Sequence, residues 1–263
     1  KLGKRIDFTD DFSAKVVGLG SEIGGITPIK IKFSVDDQCN LGDVIQSNGL
    51  VPLPPYIHRD ETIAEDEKRY QTVYADLQGS VAAPTAGLHF TNEIFSELEK
   101  VGCEIVDCTL HVGAGTFLPV KNEDINQHKM HFEWCKFGRK TIESIIEAKK
   151  SGRSILAIGT TAFRAIESFA VLTGCDSDAM LNQADSFFKT DLFIKPMNRM
   201  DRFRPKYVDQ IITNFHQPQS TLLMLISALL GYEQTMAMYR HAVDQKYRLF
   251  SYGDSSLLQF AKD

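Results

Sequence analysis

Hydrophobic and polar positions change their rhythm near residue 58. Before it, apolar residues come in short alternating or β-branched runs at 14–19 and 29–35, the period-2 pattern of half-buried strands. Asn48-Gly49 reads as a turn, and VPLPPYIHR at 51–59 is too rich in proline for a helix interior. Residues 1–58 are therefore predicted to form a small β domain, part of a barrel, joined by the charged stretch IHRDETIAEDEKR to residues 59–263. From residue 70 strand and helix patterns alternate. Residues 81–83 and 104–112 read as strands, with a helix at 92–101 between them: Thr91 is its N-cap, Glu93 lies in its first turn and Gly102 follows its end. A helix at 139–151 carries Ile142, Ile145 and Ile146 on one face and closes at Gly152. A strand at 154–158, a helix at 161–172, a strand at 207–213 and helices at 220–230 and 233–246 complete the series. Recurring strand–helix units predict the α/β class: a large mixed α/β domain with a largely parallel sheet, beside the smaller, incomplete β-barrel domain.

The hydrophobic fraction of 43% is enough to pack a core, so the chain reads as globular. A net charge of −5 argues against nucleic-acid binding by the chain as a whole, so any such contact needs a local basic patch. KPMNRMDRFRPK at 195–206 is the most basic segment, with Lys195, Arg199, Arg202, Arg204 and Lys206 against Asp201. It reads either as a solvated loop or as a phosphate-backbone contact. Five cysteines, an odd number without CxxC spacing, fit a reducing compartment. The apolar run 222–230 is far shorter than the ~20 residues of a membrane helix, so no membrane contact is expected. The opening KLGKRIDF is not a signal peptide and lacks a starting methionine, so the chain is expected to begin partway into a longer protein.

Ligands of open parallel sheets sit beyond the carboxyl ends of strands. Several segments have that form. GSVAAPTAGLHFT at 79–91 strips away side chains and then places His89, with Thr85 and Gly87 at a turn stiffened by Pro84. LHVGAGTFLPV at 110–120 carries His111 on a strand and then Gly113, Gly115 and Thr116 in a turn that exposes N–H groups. In IGTTAFRAIES at 158–168 a strand ends at Gly159, and Thr160 and Thr161 open a helix whose N-terminus suits a carboxylate or phosphate. TNFHQPQSTLLML at 213–225 ends a strand with Asn214 and His216 before the next helix. Each also has a structural reading: tight packing, a plain glycine turn, or threonines that only cap a helix. GLGSEIGG at 18–25 resembles a dinucleotide loop, but no helix follows, so it reads as a hairpin turn. HKMH at 128–131 with Cys135 falls short of a four-ligand zinc set, and no metal is expected.

Taken together, RYQTVYA at 69–75, GSVAAPTAGLHF at 79–90, LHVGAGTF at 110–117, GTT at 159–161 followed by Arg164, TNFH at 213–216 with STLLML, and FSYGD at 250–254 resemble one family. It is the S-adenosylmethionine:tRNA ribosyltransferase-isomerases of queuosine biosynthesis. The resemblance implies an α/β domain with an inserted small β-barrel. It implies transfer of the ribosyl part of S-adenosylmethionine to 7-aminomethyl-7-deazaguanine at the tRNA wobble position, giving epoxyqueuosine and releasing adenine and methionine. S-adenosylmethionine would be consumed as a co-substrate, with no further cofactor, in a cytoplasmic monomer. The reaction needs a base beside the sulfonium and an acid for leaving adenine, so His89, His111, His131 and His216 are the proton-transfer candidates. Thr85, Gly87, Gly113, Gly115, Thr116, Gly159, Thr160, Thr161, Arg164 and Asn214 are the substrate-binding candidates. Arg199, Arg202, Arg204 and Lys206 are the candidates for tRNA. Family members usually carry further residues ahead of the point where this chain starts, and often a lysine where Gln219 stands. A methyltransferase using S-adenosylmethionine and a non-catalytic tRNA-binding fragment are the competing readings.

Overall fold

A computed structural model describes residues 1–20, 27–36, 38–58, 64–113, 125–128, 130, 132–196, 198 and 202–260. The first three strands, β1 (Arg5–Asp7), β2 (Ser13–Leu19) and β3 (Ile29–Ser34), form an antiparallel sheet in that order. Alternation buries Ala14 and Val16 on one face of β2, and the Phe12 ring stacks between Phe8 and Phe33 at 4.7 and 5.5 Å. Gly20 N–H donates to the Pro28 carbonyl, so β2 and β3 form the expected hairpin, although most of its turn lies outside the described residues. Asn48-Gly49 is not a β-turn. It ends a helix, α1 (Leu41–Asn48), which Asn40 caps by accepting from Gly42 N–H, while Gly49 N–H donates back to Ile45. The described part of residues 1–58 is thus a three-stranded sheet and a helix, and no closed barrel forms among the described residues.

The helix α2 (Ala64–Arg69) leads to a 3₁₀ turn, Thr85–His89, and to α3 (Asn92–Lys100), with Thr91 Oγ1 accepting from Ile94 N–H. Residues 81–83 form no strand. Val81 and Ala82 both donate their N–H to the one Val112 carbonyl, and Pro84 and the 3₁₀ turn then bend the chain away. Next come β4 (Thr109–His111), β5 (Glu133–Lys136), α4 (Arg139–Lys150), β6 (Leu156–Ile158), α5 (Thr160–Thr173) and α6 (Ser177–Asn182). They are followed by β7 (Phe188–Thr190), β8 (Gln210–Asn214), α7 (Thr221–Leu230), α8 (Tyr232–Asp244) and β9 (Ser255–Gln259).

The sheet is not largely parallel. One sheet, β4-β5-β7, is antiparallel throughout, and in the other, β6-β8-β9, only β6 and β8 run parallel. Alternation along a strand reports which face is buried but not which way its neighbour runs, so the two cases look alike in sequence.

One core packs α4, α5 and α6 on the buried face of β5 and β7 through Phe137, Ile142, Phe169, Met180 and Phe188. The second surrounds β8 with Phe163, Ile211, Leu225, Ile226 and Leu229. The helix α5 serves both, since Phe163 faces one core and Phe169 the other. No single helix among the described residues is long and apolar enough to cross a membrane.

Candidate active site

The parallel pair brings the carboxyl ends of β6 and β8 side by side. Gly159 leaves β6 with φ +93°, donates its N–H to the Ile212 carbonyl and starts α5 at once. A side chain is disfavoured at that φ, and a Cβ there would rest 3.6 Å from Ala86 of the 3₁₀ turn. Among the described residues no side chain caps α5, and Thr160, Thr161 and Ala162 stand at the wall of a cleft. Its volume is about 920 Å³, open mouth included. First-turn amides with the helix dipole behind them suit a carboxylate.

The floor is polar. Asn214, 4% exposed at the end of β8, accepts from Thr85 Oγ1 at 3.2 Å, and its Nδ2 pairs with His89 Nε2 at 3.2 Å. With the amide so oriented, His89 Nε2 accepts this hydrogen bond. Two residues on, the half-buried His216 lines the cleft with its Nε2 2.9 Å from Thr213 Oγ1. Its backbone N–H donates to the Tyr239 hydroxyl. Burial pushes the His216 imidazole down to about 4, so it is neutral near pH 7 and a weak base there.

A third wall comes from distant chain. Tyr56 and Ser251 share a 2.6 Å hydroxyl hydrogen bond, and the Tyr56 and Phe250 rings lie 5.1 Å apart. Phe250 holds a positive φ of 72°, anchored by its N–H to the Phe215 carbonyl. Gly253 closes this loop where a Cβ would overlap the carbonyl oxygens of Arg248 and Leu249.

Of the sequence candidates, Thr85, Gly159, Thr160, Thr161, Asn214 and His216 line the cleft, and His89 joins it through Asn214. Others lie elsewhere. Gly87 is buried beneath Tyr74, whose hydroxyl a Cβ would overlap, so this glycine serves packing, while Ala83 and Ala86 line the cleft. His111 stacks on Phe187 at 5.4 Å, and its Nδ1 is buried with no hydrogen-bond partner among the described residues. The next residue, Val112, is the one that reaches the cleft wall. Arg164 is not in that wall. Its side chain, 5% exposed, pairs with the equally buried Glu133 at 3.3 Å and donates Nε–H to the Leu192 carbonyl. Gly113 is exposed, as are Arg202, Arg204 and Lys206. Gly115, Thr116, His131 and Arg199 lie outside the described residues. Tyr56, Phe250 and Ser251 are wall residues that the strand-end logic missed. Their signals were the proline-rich stretch and the FSYGD motif. Among the described residues no three His, Cys, Asp or Glu side chains gather to hold a metal. Burial pushes the thiols of Cys108 and Cys135 up to about 12, which leaves them unreactive.

A family profile described as "Queuosine biosynthesis protein" matches residues 1–258. An S-adenosylmethionine:tRNA ribosyltransferase-isomerase of Rickettsia bellii is 46% identical over 230 residues, which is 88% of this chain and 61% of that protein. The enzyme of the same name from Treponema denticola is 44% identical over 261 residues, covering 98% of this chain and 70% of that one. The crystal structure of an S-adenosylmethionine tRNA ribosyltransferase from Thermotoga maritima superposes with a TM-score of 0.50 at 30% identity, over 98% of this chain and 65% of that one. The chain thus spans about three-fifths of the length of the Rickettsia relative.

Proposed function

The chain belongs to the family of queuosine biosynthesis proteins, and from that premise we propose that it is an S-adenosylmethionine:tRNA ribosyltransferase-isomerase. The ribosyl group of S-adenosylmethionine would pass to the aminomethyl nitrogen of 7-aminomethyl-7-deazaguanine at the tRNA wobble position. The product is epoxyqueuosine, with adenine and methionine released. S-adenosylmethionine is consumed, no further cofactor is used, and the protein works as a cytoplasmic monomer.

One observation carries this reading: a single cleft combines uncapped helix amides, a polar floor with an imidazole, and an aromatic wall. The methionyl carboxylate sits on the amides of Thr160 and Thr161. The Tyr56–Phe250 corner offers flat apolar surface for adenine. The imidazole of His89, held behind the floor by Asn214, handles a proton, either from the carbon beside the sulfonium or for leaving adenine. His216, neutral near pH 7, supports the floor by hydrogen bonding.

The test is adenine release from S-adenosylmethionine with tRNA carrying 7-aminomethyl-7-deazaguanine, run on this chain and on one of the relatives' full length. Adenine that appears only with the modified tRNA supports ribosyl transfer. S-adenosylhomocysteine in its place would make the protein a methyltransferase. Tight tRNA binding without turnover by either chain would make it a non-catalytic binder.

A further inference from the structure

The solvent face of an antiparallel sheet is ordinarily polar, because only one face meets the core. The β4-β5-β7 sheet departs from this. Its inner face buries Glu133, Cys135, Phe188 and Thr190. Register places His111, Trp134 and Lys189 in one row across the three strands, with Lys136 two residues beyond Trp134 on the same face. The rings of Phe132, Trp134 and Phe187 are 49%, 40% and 46% exposed. Trp134 stands perpendicular to both phenylalanines, at 6.3 and 6.5 Å, so neither phenylalanine stacks on its ring, while Phe187 stacks on His111. Lys189 Nζ lies 4.5 Å from the Phe132 centroid and 4.7 Å from that of Trp134, and Lys136 Nζ lies 5.3 Å from Phe187.

Exposed rings at this density mark a contact surface. We infer that this face is a stacking platform for unpaired bases of an RNA strand, a deduction that rests on the proposed reading of tRNA as substrate. The chemistry selects the partner. Rings interleaved with ammonium groups match bases and phosphates of single-stranded RNA, whereas a purely apolar partner would bury both lysines without compensation. The one carboxylate on these strands, Glu133, faces inward and pairs with Arg164, while Asp107, Asp185 and Asp191 lie beyond the strand ends. The strand β4 leads from this face to the cleft: His111 belongs to the platform, and the residue after it, Val112, lines the cleft wall. One strand of RNA can place a base in the cleft and stack the neighbouring bases here.

Trp134 is the only tryptophan of the chain, so its emission reports this face directly. Titration with tRNA is expected to quench that emission saturably, with the affinity given by anisotropy of labelled tRNA. Trp134→Ala should weaken binding about ten-fold, as for the loss of one stacked base, and Trp134→Phe should largely restore it. Lys136→Ala and Lys189→Ala should each lower the slope of log affinity against log salt by about one. If tRNA binds fully while the emission stays constant and Trp134→Ala binds as well as the parent, the platform is overturned, even with adenine release intact. If quenching and the variant effects appear without adenine release, ribosyl transfer fails and the platform stands. Failure of the parent to bind tRNA at all overturns both.

Discussion

His216 shows how one residue's surroundings set a pH dependence. Its ring is enclosed at the cleft wall with Thr213 as partner, and dehydration lowers its proton affinity to about 4 from an ordinary 6.5. The unfolded chain therefore takes up the proton first. Stability from this group is constant above about pH 6.5 and falls as pH drops toward about 4, by at most about 3 kcal/mol. His216→Gln keeps a hydrogen-bonding side chain but cannot titrate. Urea midpoints of parent and variant should draw together between about pH 7 and pH 5, and parallel curves would show that the imidazole does not carry the effect. At Gly253 the constraint is steric and comes from backbone, which cannot swing aside. Gly253→Ala should cost about 1–3 kcal/mol and shift the loop that presents Phe250 and Ser251 to the cleft. Denaturation and S-adenosylmethionine affinity should both weaken, and loss of neither would mean that the loop relaxes freely.

At the scale of elements, one carboxylate ties two segments together. Glu167 is fully buried in α5, and its oxygens accept from the backbone N–H groups of Lys206, Tyr207 and Val208. It fixes the end of the basic segment to the helix that opens the cleft. Glu167→Ala would strand two buried donors, Tyr207 and Val208 N–H, and one part-buried, Lys206 N–H, at a cost of roughly 3–5 kcal/mol, and loosen Arg202 to Lys206. Replacing Arg202 and Arg204 together by alanine should weaken tRNA binding at a stability cost well below that of Glu167→Ala, because contacts of exposed side chains are weak. Chemical unfolding beside a tRNA titration separates the two cases. Equal stability loss in both variants would contradict the pinning role. These elements were unequally legible in sequence. The helices α3, α4, α5 and α7 stand within a residue or two of their predicted ends, where an apolar stripe coincides with a cap such as Thr91 or Ser220. The strands β5, β7 and β9 escaped notice because runs such as EWCK and FKT are short and alternate charge with bulk. They become strands only by pairing with segments far away in the chain.

The same limit governs the whole molecule. Thr85, Gly159 to Thr161, Asn214 and His216 were readable because strand ends and helix starts leave local marks. Tyr56 and Ser251, 195 residues apart, meet only when the chain is folded, and no local pattern pairs them. Arg164 and Gly87 lie outside the cleft lining, and no local pattern shows that either. An arginine in a helix's first turns and a glycine in a turn look like ligand positions, yet here the one neutralises Glu133 and the other makes room for Tyr74. A cleft built from residues near 56, 85, 160, 214 and 250 gathers both ends of the sequence, so an occupant should stabilise the molecule as one unit. S-adenosylmethionine at about a hundred times its Kd should add about 2.7 kcal/mol and raise Tm by roughly 5–10 °C. Tyr56→Ala should reduce that shift by removing one wall. Trp134→Ala, on the outer sheet face, should leave it intact. A shift lost in Trp134→Ala and kept in Tyr56→Ala would move the S-adenosylmethionine site from the cleft to the sheet, and with it the helix N-terminus from the chemistry.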